Sequence, residues 1–290
     1  MKPLVGQVFL TRPPVTGGFT LVTYAAVLDV PRHVVEFLAR LLAGHRRRIG
    51  TPKGSRALGP FRQAVLVLRW FRERSCVHCL ARDAGISQAT GYRYLHEGID
   101  VLAEQAPDLH RVLAECRKRG MNHLVLDGTL IESDRVAGTH MSAAGKEVDT
   151  WYSAKHKAFG ANVQFLSAPN GTPLWVSEAE PGSVPDITAA RMHCLSALYK
   201  AAADGLPTLA DAGYQGAGIG IHHPFKKPPG RSHLQLHSDT RTYNALLRGV
   251  RALGERAAAE LKEHSPEKKR GLFGSIPQIG LALGLALGTG

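Results

Sequence analysis

The sequence predicts a protein of two parts, an all-α first part followed by a second part that mixes strands with helices. Apolar residues such as Val34, Leu38 and Leu42 recur at helical spacing through much of the first 113 residues. From Asn122 onwards, short apolar runs bounded by Gly, Pro or Asp replace that pattern, which is typical of strands. With 290 residues, of which 44% are hydrophobic, the chain is long enough to build two cores. We expect an N-terminal arm over residues 1–30, a helical domain over 31–120 and a mixed domain over 121–263.

The charge of the chain indicates a polyanionic partner. Lys and Arg number 36 against 24 Asp and Glu, which gives a formal net charge of +12 and a pI near 9.8. Nucleic acid and an anionic membrane surface both fit this excess, and a merely basic soluble protein is the alternative that charge alone leaves open. The chain opens with Pro and Arg rather than an apolar run, and its apolar C-terminal stretch is interrupted by Gly and Pro. We therefore expect neither a secretory signal nor a membrane span.

Residues 80–95 have the spacing of a helix-turn-helix. Ala81 is small enough for two helices to approach closely, Gly85 suits the turn, and Ser87 suits the N-cap of the second helix. Gly91 stands where such motifs usually have an apolar residue, and an ordinary helical hairpin with a basic face is the alternative. In the DNA-binding interpretation, the side chains that face the major groove are those of Ser87, Gln88, Thr90 and Arg93.

Three acidic residues of the second part are candidates for metal ligands. Asp127 and Asp211 each follow an apolar run, so we expect each at the end of a buried strand. Glu255 lies on a helical stretch, expected over residues 240–263, with Arg251 and Lys262 on the same face. Hard divalent cations prefer carboxylate oxygens, and a pair of Mg²⁺ or Mn²⁺ ions suits phosphodiester chemistry. The alternatives are turn-forming aspartates and a helix with ordinary ion pairs.

The remaining features of the second part concern its strands, one helix and two basic segments. Strands are expected over residues 148–151, 159–166 and 174–176, and a helix over 187–203 that Asp186 caps. Two basic loops are candidates for contact with DNA, although the first could simply solvate a hairpin. They contain Lys155, His156 and Lys157, and Lys226 and Lys227.

The four cysteines show no disulfide framework. Cys76 and Cys79 are the one C-x-x-C pair, with no second pair downstream at zinc spacing. We expect this pair to pack within a helix rather than to bind metal.

Several motifs of the second part occur together in one known family. They are Leu126-Asp127-Gly128-Thr129-Leu130-Ile131 with Asp134-Arg135, Trp151-Tyr152-Ser153-Ala154-Lys155-His156-Lys157, Gly160-Ala161-Asn162-Val163-Gln164, Pro181-Gly182-Ser183 with Asp186 and Ala189, Ala210-Asp211-Ala212-Gly213-Tyr214-Gln215-Gly216, and Arg251-x3-Glu255-x6-Lys262. In these motifs, residues 60–262 resemble the DDE-type transposases of bacterial insertion sequences, specifically the insertion-sequence-five group. Each motif is modest alone, and the combination is highly specific.

The resemblance implies an RNase H-like catalytic domain, a mixed sheet flanked by helices, behind a helix-turn-helix domain. It implies metal-dependent cleavage and transfer of DNA strands at the ends of the element. Asp127, Asp211 and Glu255 would bind two Mg²⁺ or Mn²⁺ ions, and Arg251 and Lys262 would be their basic partners. The implied partner is double-stranded DNA, both the terminal inverted repeats and the target, and handling two ends together is compatible with a homodimer. The implied location is the bacterial cytoplasm, at the nucleoid.

The Gly-rich tail over residues 264–290 departs from the family pattern, as a decayed copy or a shifted reading frame would. An alternative function is therefore a catalytically defective transposase remnant that only binds DNA. A host nuclease of related fold is a third hypothesis, which the detailed motif match disfavours.

Overall fold

The structure is a computed structural model that describes residues 27–73, 75–142, 145–227, 230 and 235–252. These residues form two compact units that divide between Gln105 and Ala106. Most of the predicted arm, the tail, and two of the five predicted catalytic residues, Glu255 and Lys262, lie outside the described residues.

Over residues 27–73 and 75–105, the regular structure of the first unit is helical, as its periodicity predicts. Large apolar side chains on the inner faces of its helices are fully buried, Trp70 and Tyr94 being the largest. Burying such side chains is the main favourable term for folding a bundle of this kind. Its helices are α1 (Arg32–Arg48), α2 (Pro60–Glu73), α3 (Val77–Ala84) and α4 (Gln88–Ala103).

The turn between α3 and α4 has the geometry that the sequence predicts. Gly85 adopts a left-handed conformation with φ of 71°, which ends α3. Ser87 is the N-cap of α4, and its Oγ accepts a hydrogen bond from the Thr90 N–H at 3.3 Å. A Cβ added to Gly91 would lie 2.8 Å from the Cβ of Ala81. The close approach of α3 and α4 therefore explains why a glycine stands where an apolar residue is usual.

In its described residues, the second unit contains a mixed sheet, a short 3-10 helix (Ala212–Tyr214) and four α-helices. Its first helix, α5, belongs here because Leu109, Leu113 and Cys116 pack in one core with Leu124 of the central strand. The unit therefore begins earlier than the boundary near residue 120 that the change of pattern predicts. Its helices are α5 (Leu109–Lys118), α6 (Asp186–His193), α7 (Leu195–Ala203) and α8 (Ser238–Arg251). Its strands are β1 (Leu124–Glu132), β2 (Thr139–Met141), β3 (Glu147–Asp149), β4 (Tyr152–Ser153), β5 (Ala158–Ser167), β6 (Pro173–Val176), β7 (Glu180–Pro181), β8 (Thr208–Ala210) and β9 (Ile221–His222).

The main sheet is built around β1, in the order β4-β5-β1-β8-β9. On one side β1 pairs antiparallel with β5, and on the other side it pairs parallel with β8. The strands β6 and β7 also pair with β5, while β2 and β3 form a separate two-stranded sheet. The core among α5, α6, α7 and the sheet includes Leu126, Leu166 and Leu198. A smaller cluster contains Val163 and Phe165, whose side chains alternate with that of Leu166 along β5.

The prediction that the first strand stops at Asp127 is wrong. The strand β1 continues through Asp127 and Gly128 to Glu132, because Leu130 and Ile131 are buried and pair with β5. Asp127 therefore lies in the middle of the central strand, where it pairs with Phe165 of β5 and directly follows the last residue of β1 that pairs with β8.

The predicted helix over residues 187–203 is two helices. Cys194, with a non-helical φ of −142°, separates α6 from α7. The prediction that Asp186 caps this helix is also wrong, because Pro185 is the N-cap residue and Asp186 is the first residue of α6. As a consequence, the Asp186 side chain is free to contact the sheet.

The cysteines differ strongly in exposure. Cys76 is exposed at the N-cap of α3, so the expectation that it packs within a helix is wrong; its Sγ accepts a hydrogen bond from the Cys79 N–H at 3.2 Å. Cys116 and Cys194 are buried, and burial raises the pKa of the Cys194 thiol to about 12. The thiolate is the reactive form, so Cys194 is both shielded and protonated at neutral pH.

We therefore expect iodoacetamide at pH 8 to alkylate Cys76 of the native protein rapidly and Cys194 hardly at all. The raised pKa alone lowers the thiolate fraction of Cys194 by on the order of a thousandfold relative to an ordinary thiol. Peptide mass spectrometry with and without urea measures both rates. Alkylation of Cys194 at the rate of Cys76 in the absence of urea would contradict its burial.

Within the described ranges, no helix is both long and apolar enough to cross a membrane.

Candidate active site

The sheet brings Asp127 and Asp211 together. In the parallel pair of β1 and β8, Leu126 lies opposite Ala210, so the two aspartates are the next residues of neighbouring strands. Asp127 continues β1, whereas Asp211 directly follows β8. Two residues 84 positions apart in the chain are thus neighbours in the fold.

Asp127 is a carboxylate in a poorly solvated position. Its Oδ1 accepts a hydrogen bond from the Gly128 N–H at 2.9 Å, and its Oδ2 lies 3.6 Å from Nη2 of Arg251, the last residue of α8. Burial raises the pKa of Asp127, and repulsion from Asp211 and Asp186 adds to this effect. The Gly128 N–H and Arg251 act in the opposite direction without cancelling it. The site therefore places negative charges where a further cation would stabilise them.

Asp211 is held by the turn that follows it. Its Oδ1 accepts a hydrogen bond from the Gly213 N–H at 2.7 Å, so Asp211 is the N-cap of the 3-10 helix Ala212–Tyr214. A Cβ added to Gly213 would lie 2.8 Å from the same oxygen. The Asp-Ala-Gly sequence therefore forms a turn, which was the alternative to a metal-binding role for Asp211. The same turn fixes the Asp211 carboxylate beside Asp127.

A third carboxylate, that of Asp186, lies next to this pair and was missed as a site residue. Its Oδ1 accepts a hydrogen bond from Asn162 Nδ2 at 2.9 Å, and its Oδ2 accepts one from Lys155 Nζ at 2.7 Å. A Cβ added to Gly128 would lie 2.6 Å from Asp186 Oδ1, so the glycine after Asp127 makes room for this carboxylate. The signal in the sequence was that Asp186 belongs to the same family motif as Pro181-Gly182-Ser183. The capping interpretation did not use this signal.

A cleft of about 350 Å³ opens beside these carboxylates. Its wall combines apolar groups with acidic and basic side chains. The acidic and basic residues are Asp186, Asp211, Lys155 and His156. Lys155 carries the ammonium nearest to the acids; burial lowers its pKa, but the hydrogen bond and charge of Asp186, with Asp211 and Asp127, raise it overall. The cleft can therefore accept a group that bears negative charge and oxygen atoms.

The donor set fits a hard divalent cation. Carboxylate oxygens such as those of Asp127 and Asp211 are the ligands that Mg²⁺ and Mn²⁺ prefer. In the described part of the chain, no cluster of three His, Cys, Asp or Glu residues is close enough to hold a metal ion. Asp127 and Asp211 supply two of the predicted ligands, and Glu255 lies outside that part.

The predicted DNA-contacting residues of α4 differ in how free their side chains are. Gln88 and Arg93 are exposed, and the Arg93 guanidinium lies 5.9 Å from the ring centroid of Tyr94. The Gln88 amide is bonded to the ring of His78. The hydroxyls of Ser87 and Thr90 are bonded to each other at 2.9 Å, so they are engaged in the cap.

The predicted basic loops of the second unit are exposed. Lys155, His156 and Lys157 form the turn between β4 and β5, where Lys157 has a positive φ of 54°. Lys226 and Lys227 follow Phe225, whose N–H donates a hydrogen bond to Asn244 Oδ1 of α8 at 2.9 Å. Lys155 contacts the acidic cluster through its hydrogen bond to Asp186.

Comparison with known proteins bears on the second unit alone. Neither the curated proteins nor the solved structures give a match to the chain. Residues 126–265 match the family model described as DDE superfamily endonuclease. The matched segment contains Asp127 and Asp211, most of β1 and all of β8, and the mixed sheet flanked by helices fits an RNase H-like DDE fold. The match supports a DDE-type, transposase-like domain at residues 126–265, with nuclease-type activity on DNA.

Proposed function

We propose that this chain is a transposase that cleaves and rejoins DNA strands at the ends of its own mobile element. The observation that carries the proposal is the parallel register of β1 and β8, which sets Asp127 and Asp211 side by side within a DDE-type segment. With Glu255, these two residues would hold two Mg²⁺ or Mn²⁺ ions. The ions, when bound, activate the attacking oxygen and neutralise charge on the phosphate.

The basic side chains around the carboxylates bind and orient the DNA backbone. The Arg251 guanidinium lies beside Asp127, and Lys155, whose ammonium is bonded to Asp186, lines the adjoining cleft. Lys262 would add a third cation from the same helix face as Glu255. A planar guanidinium and a mobile ammonium suit a phosphate with several non-bridging oxygens.

The first unit recognises the element ends in this proposal. The helices α3 and α4, joined through Gly85, form a helix-turn-helix, and the exposed Gln88 and Arg93 of α4 read the major groove. Ser87 and Thr90 orient the N-terminus of α4 through their cap. The net charge of +12 supports binding to a polyanion.

The finer parts of the proposal follow the motif resemblance. The combination of motifs favours the insertion-sequence-five group. A transposase of this group would act in the bacterial cytoplasm, at the nucleoid. Two copies would bring the two terminal inverted repeats together before strand transfer into target DNA. Size-exclusion chromatography with light scattering, run with and without terminal-repeat DNA, measures that assembly.

The deciding experiment uses a supercoiled plasmid that carries the DNA flanking the coding sequence on both sides. We expect nicked and linear products with Mg²⁺ or Mn²⁺, at the junctions of the element, and none with EDTA or Ca²⁺ alone. Sequencing of the product ends measures the position of cleavage.

Two outcomes would count against the proposal. Salt-sensitive DNA binding without cleavage under Mg²⁺ or Mn²⁺ would indicate the catalytically defective remnant instead. Metal-dependent cleavage with no preference for the junctions would indicate a nuclease of related fold.

A further inference from the structure

A line of buried polar side chains connects the turn after Asp211 with Asp186. Tyr214, in the 3-10 helix that Asp211 caps, donates from its hydroxyl to Gln164 Oε1 at 2.6 Å. Gln164 Nε2 donates to Asn162 Oδ1 at 3.0 Å, and Asn162 Nδ2 donates to Asp186 Oδ1 at 2.9 Å. Every bond in this line runs in the same direction, with the donor on the Tyr214 side.

The direction of the line requires an acceptor at its end. Tyr214 and Gln164 are fully buried and Asn162 is 6% exposed, so each polar group would cost free energy without a partner. Burial raises the pKa of the Tyr214 phenol well above its ordinary value, so the hydroxyl stays a donor. A carboxylate has only acceptors, and Asp186 is therefore suited to end a line of donors.

Asp186 also holds the side chain of Lys155. Its second oxygen accepts from Lys155 Nζ at 2.7 Å, and the Asp186 side chain is 14% exposed while that of Lys155 is 59% exposed. Lys155 lies on the turn between β4 and β5, so the bond ties an exposed turn to the start of α6. Lys155, Asp186 and Asp211 all line the same cleft.

We propose that Asp186 is a positioning residue of the reaction, holding the Lys155 ammonium beside Asp127 and Asp211 for contact with the phosphate of the bound strand. This inference rests on the proposed function, which supplies the phosphate. Both oxygens of Asp186 already have partners, and this favours positioning over service as a further metal ligand. Asn162, Gln164 and Tyr214 act through Asp186 by fixing the plane of its carboxylate.

The first test does not depend on cleavage. In hydrogen exchange measured by mass spectrometry, Asp186→Asn should raise the exchange rate of residues 152–158 by roughly fivefold or more, because the tie to the turn is lost. Asp204→Asn is the matched control, because Asp204 forms a 2.7 Å ion pair with Arg117 and neither residue lines the cleft. Unchanged exchange at residues 152–158 in Asp186→Asn would overturn the tie.

The second test separates positioning from metal binding. The pair of Lys155 and Asp186 has no net charge, so Lys155→Ala with Asp186→Asn leaves the charge of the site unchanged. If Asp186 only positions Lys155, calorimetric Mn²⁺ affinity of the double variant should stay within about threefold of the unaltered protein. A loss of roughly tenfold or more would show that Asp186 binds the metal and would overturn the proposal.

The third test is a double-mutant cycle on cleavage of the junction plasmid. Lys155→Ala and Asp186→Asn should each lower the single-turnover rate by about 10–100-fold, because an oriented phosphate contact is lost. The double variant should be no slower than Lys155→Ala alone, and Lys155→Arg should recover part of the rate. Losses that multiply in the double variant would mean that Asp186 acts without Lys155.

Failure of the inference and failure of the proposed function give different results. If the unaltered protein does not cleave DNA, the proposed function and the positioning role fall together, and the exchange data still decide whether Asp186 holds the turn. If the unaltered protein cleaves DNA, the function stands. The inference about Asp186 is then wrong if exchange at residues 152–158 is unchanged in Asp186→Asn, or if the losses multiply in the double variant.

Discussion

Asp127→Asn and Asp211→Asn are each expected to reduce Mg²⁺-dependent cleavage of the junction plasmid by about a thousandfold or more, with DNA binding nearly unchanged. In the proposed function, each change removes a charged ligand of the metal ions that would neutralise the negative charge on the phosphate. Asparagine keeps the shape of the side chain, and the acceptors for the Gly128 and Gly213 N–H groups remain. In the proposed function, basic residues elsewhere supply most of the DNA affinity, so binding should remain.

The same substitution at Asp127 should stabilise the protein when divalent metal is absent. A carboxyl with a folded pKa above its unfolded value binds its proton more tightly in the folded state, so its charge opposes folding at neutral pH. Stability of the unaltered protein should therefore rise as the pH falls towards that folded pKa. Burial is the largest cause of the shift and Arg251 does not cancel it, so Asp127→Asn should raise the melting temperature in EDTA at pH 7.

Thermal melts with and without Mn²⁺ measure both halves of this expectation. The unaltered protein should gain stability from Mn²⁺ while Asp127→Asn gains little, because a ligand that binds only the folded state stabilises it by mass action. Asp204→Asn serves again as the control for loss of an ordinary aspartate. Equal cleavage rates in Asp127→Asn and the unaltered protein would remove Asp127 from the site, and a lower melting temperature in EDTA would show that its ion pair with Arg251 outweighs burial.

A strand before each of Asp127 and Asp211 could be anticipated from local sequence, whereas the adjacency of the two aspartates could not. Each aspartate follows an apolar run, and that pattern indicates a strand. The end of β1 depends on its pairing with β5, which is a contact between distant segments. Local sequence therefore predicted that the strand stops at Asp127, whereas it continues to Glu132. Parallel pairing of β1 with β8 is equally non-local, and only the motif resemblance suggested it.

Asp186 shows a different limit of sequence reasoning. An aspartate after a Pro-rich loop and before a helix has a local explanation as a cap, and that explanation was sufficient until the fold was known. Its partners Asn162 and Lys155 lie 24 and 31 residues away, on β5 and the turn before it. Gly91 is the converse case, because its unusual position in the motif was visible in the sequence and its cause, contact with Ala81, was not.

Gly160→Ala is expected to lower the free energy of unfolding by about 2–4 kcal/mol, because it forces apart the two longest strands of the sheet. Gly160 lies opposite Glu132 in the β1–β5 pair, and a Cβ there would overlap the carbonyl oxygen of Ile131 and lie 2.9 Å from Leu130 Cγ. The obstacle is backbone of β1 that pairs with β5, so it cannot move aside without disturbing the sheet.

Gly249→Ala is the matched control for this change in the same unit. Gly249 is exposed near the end of α8, a Cβ there meets nothing within 4 Å, and the exchange should be neutral or stabilising by up to about 1 kcal/mol. Urea unfolding followed by circular dichroism measures both variants. Because β1 also carries Asp127, Gly160→Ala should weaken cleavage along with stability, whereas Gly249→Ala should affect neither adversely. An unfolding midpoint of Gly160→Ala equal to that of Gly249→Ala would show that β1 and β5 are not packed as closely as the fold requires.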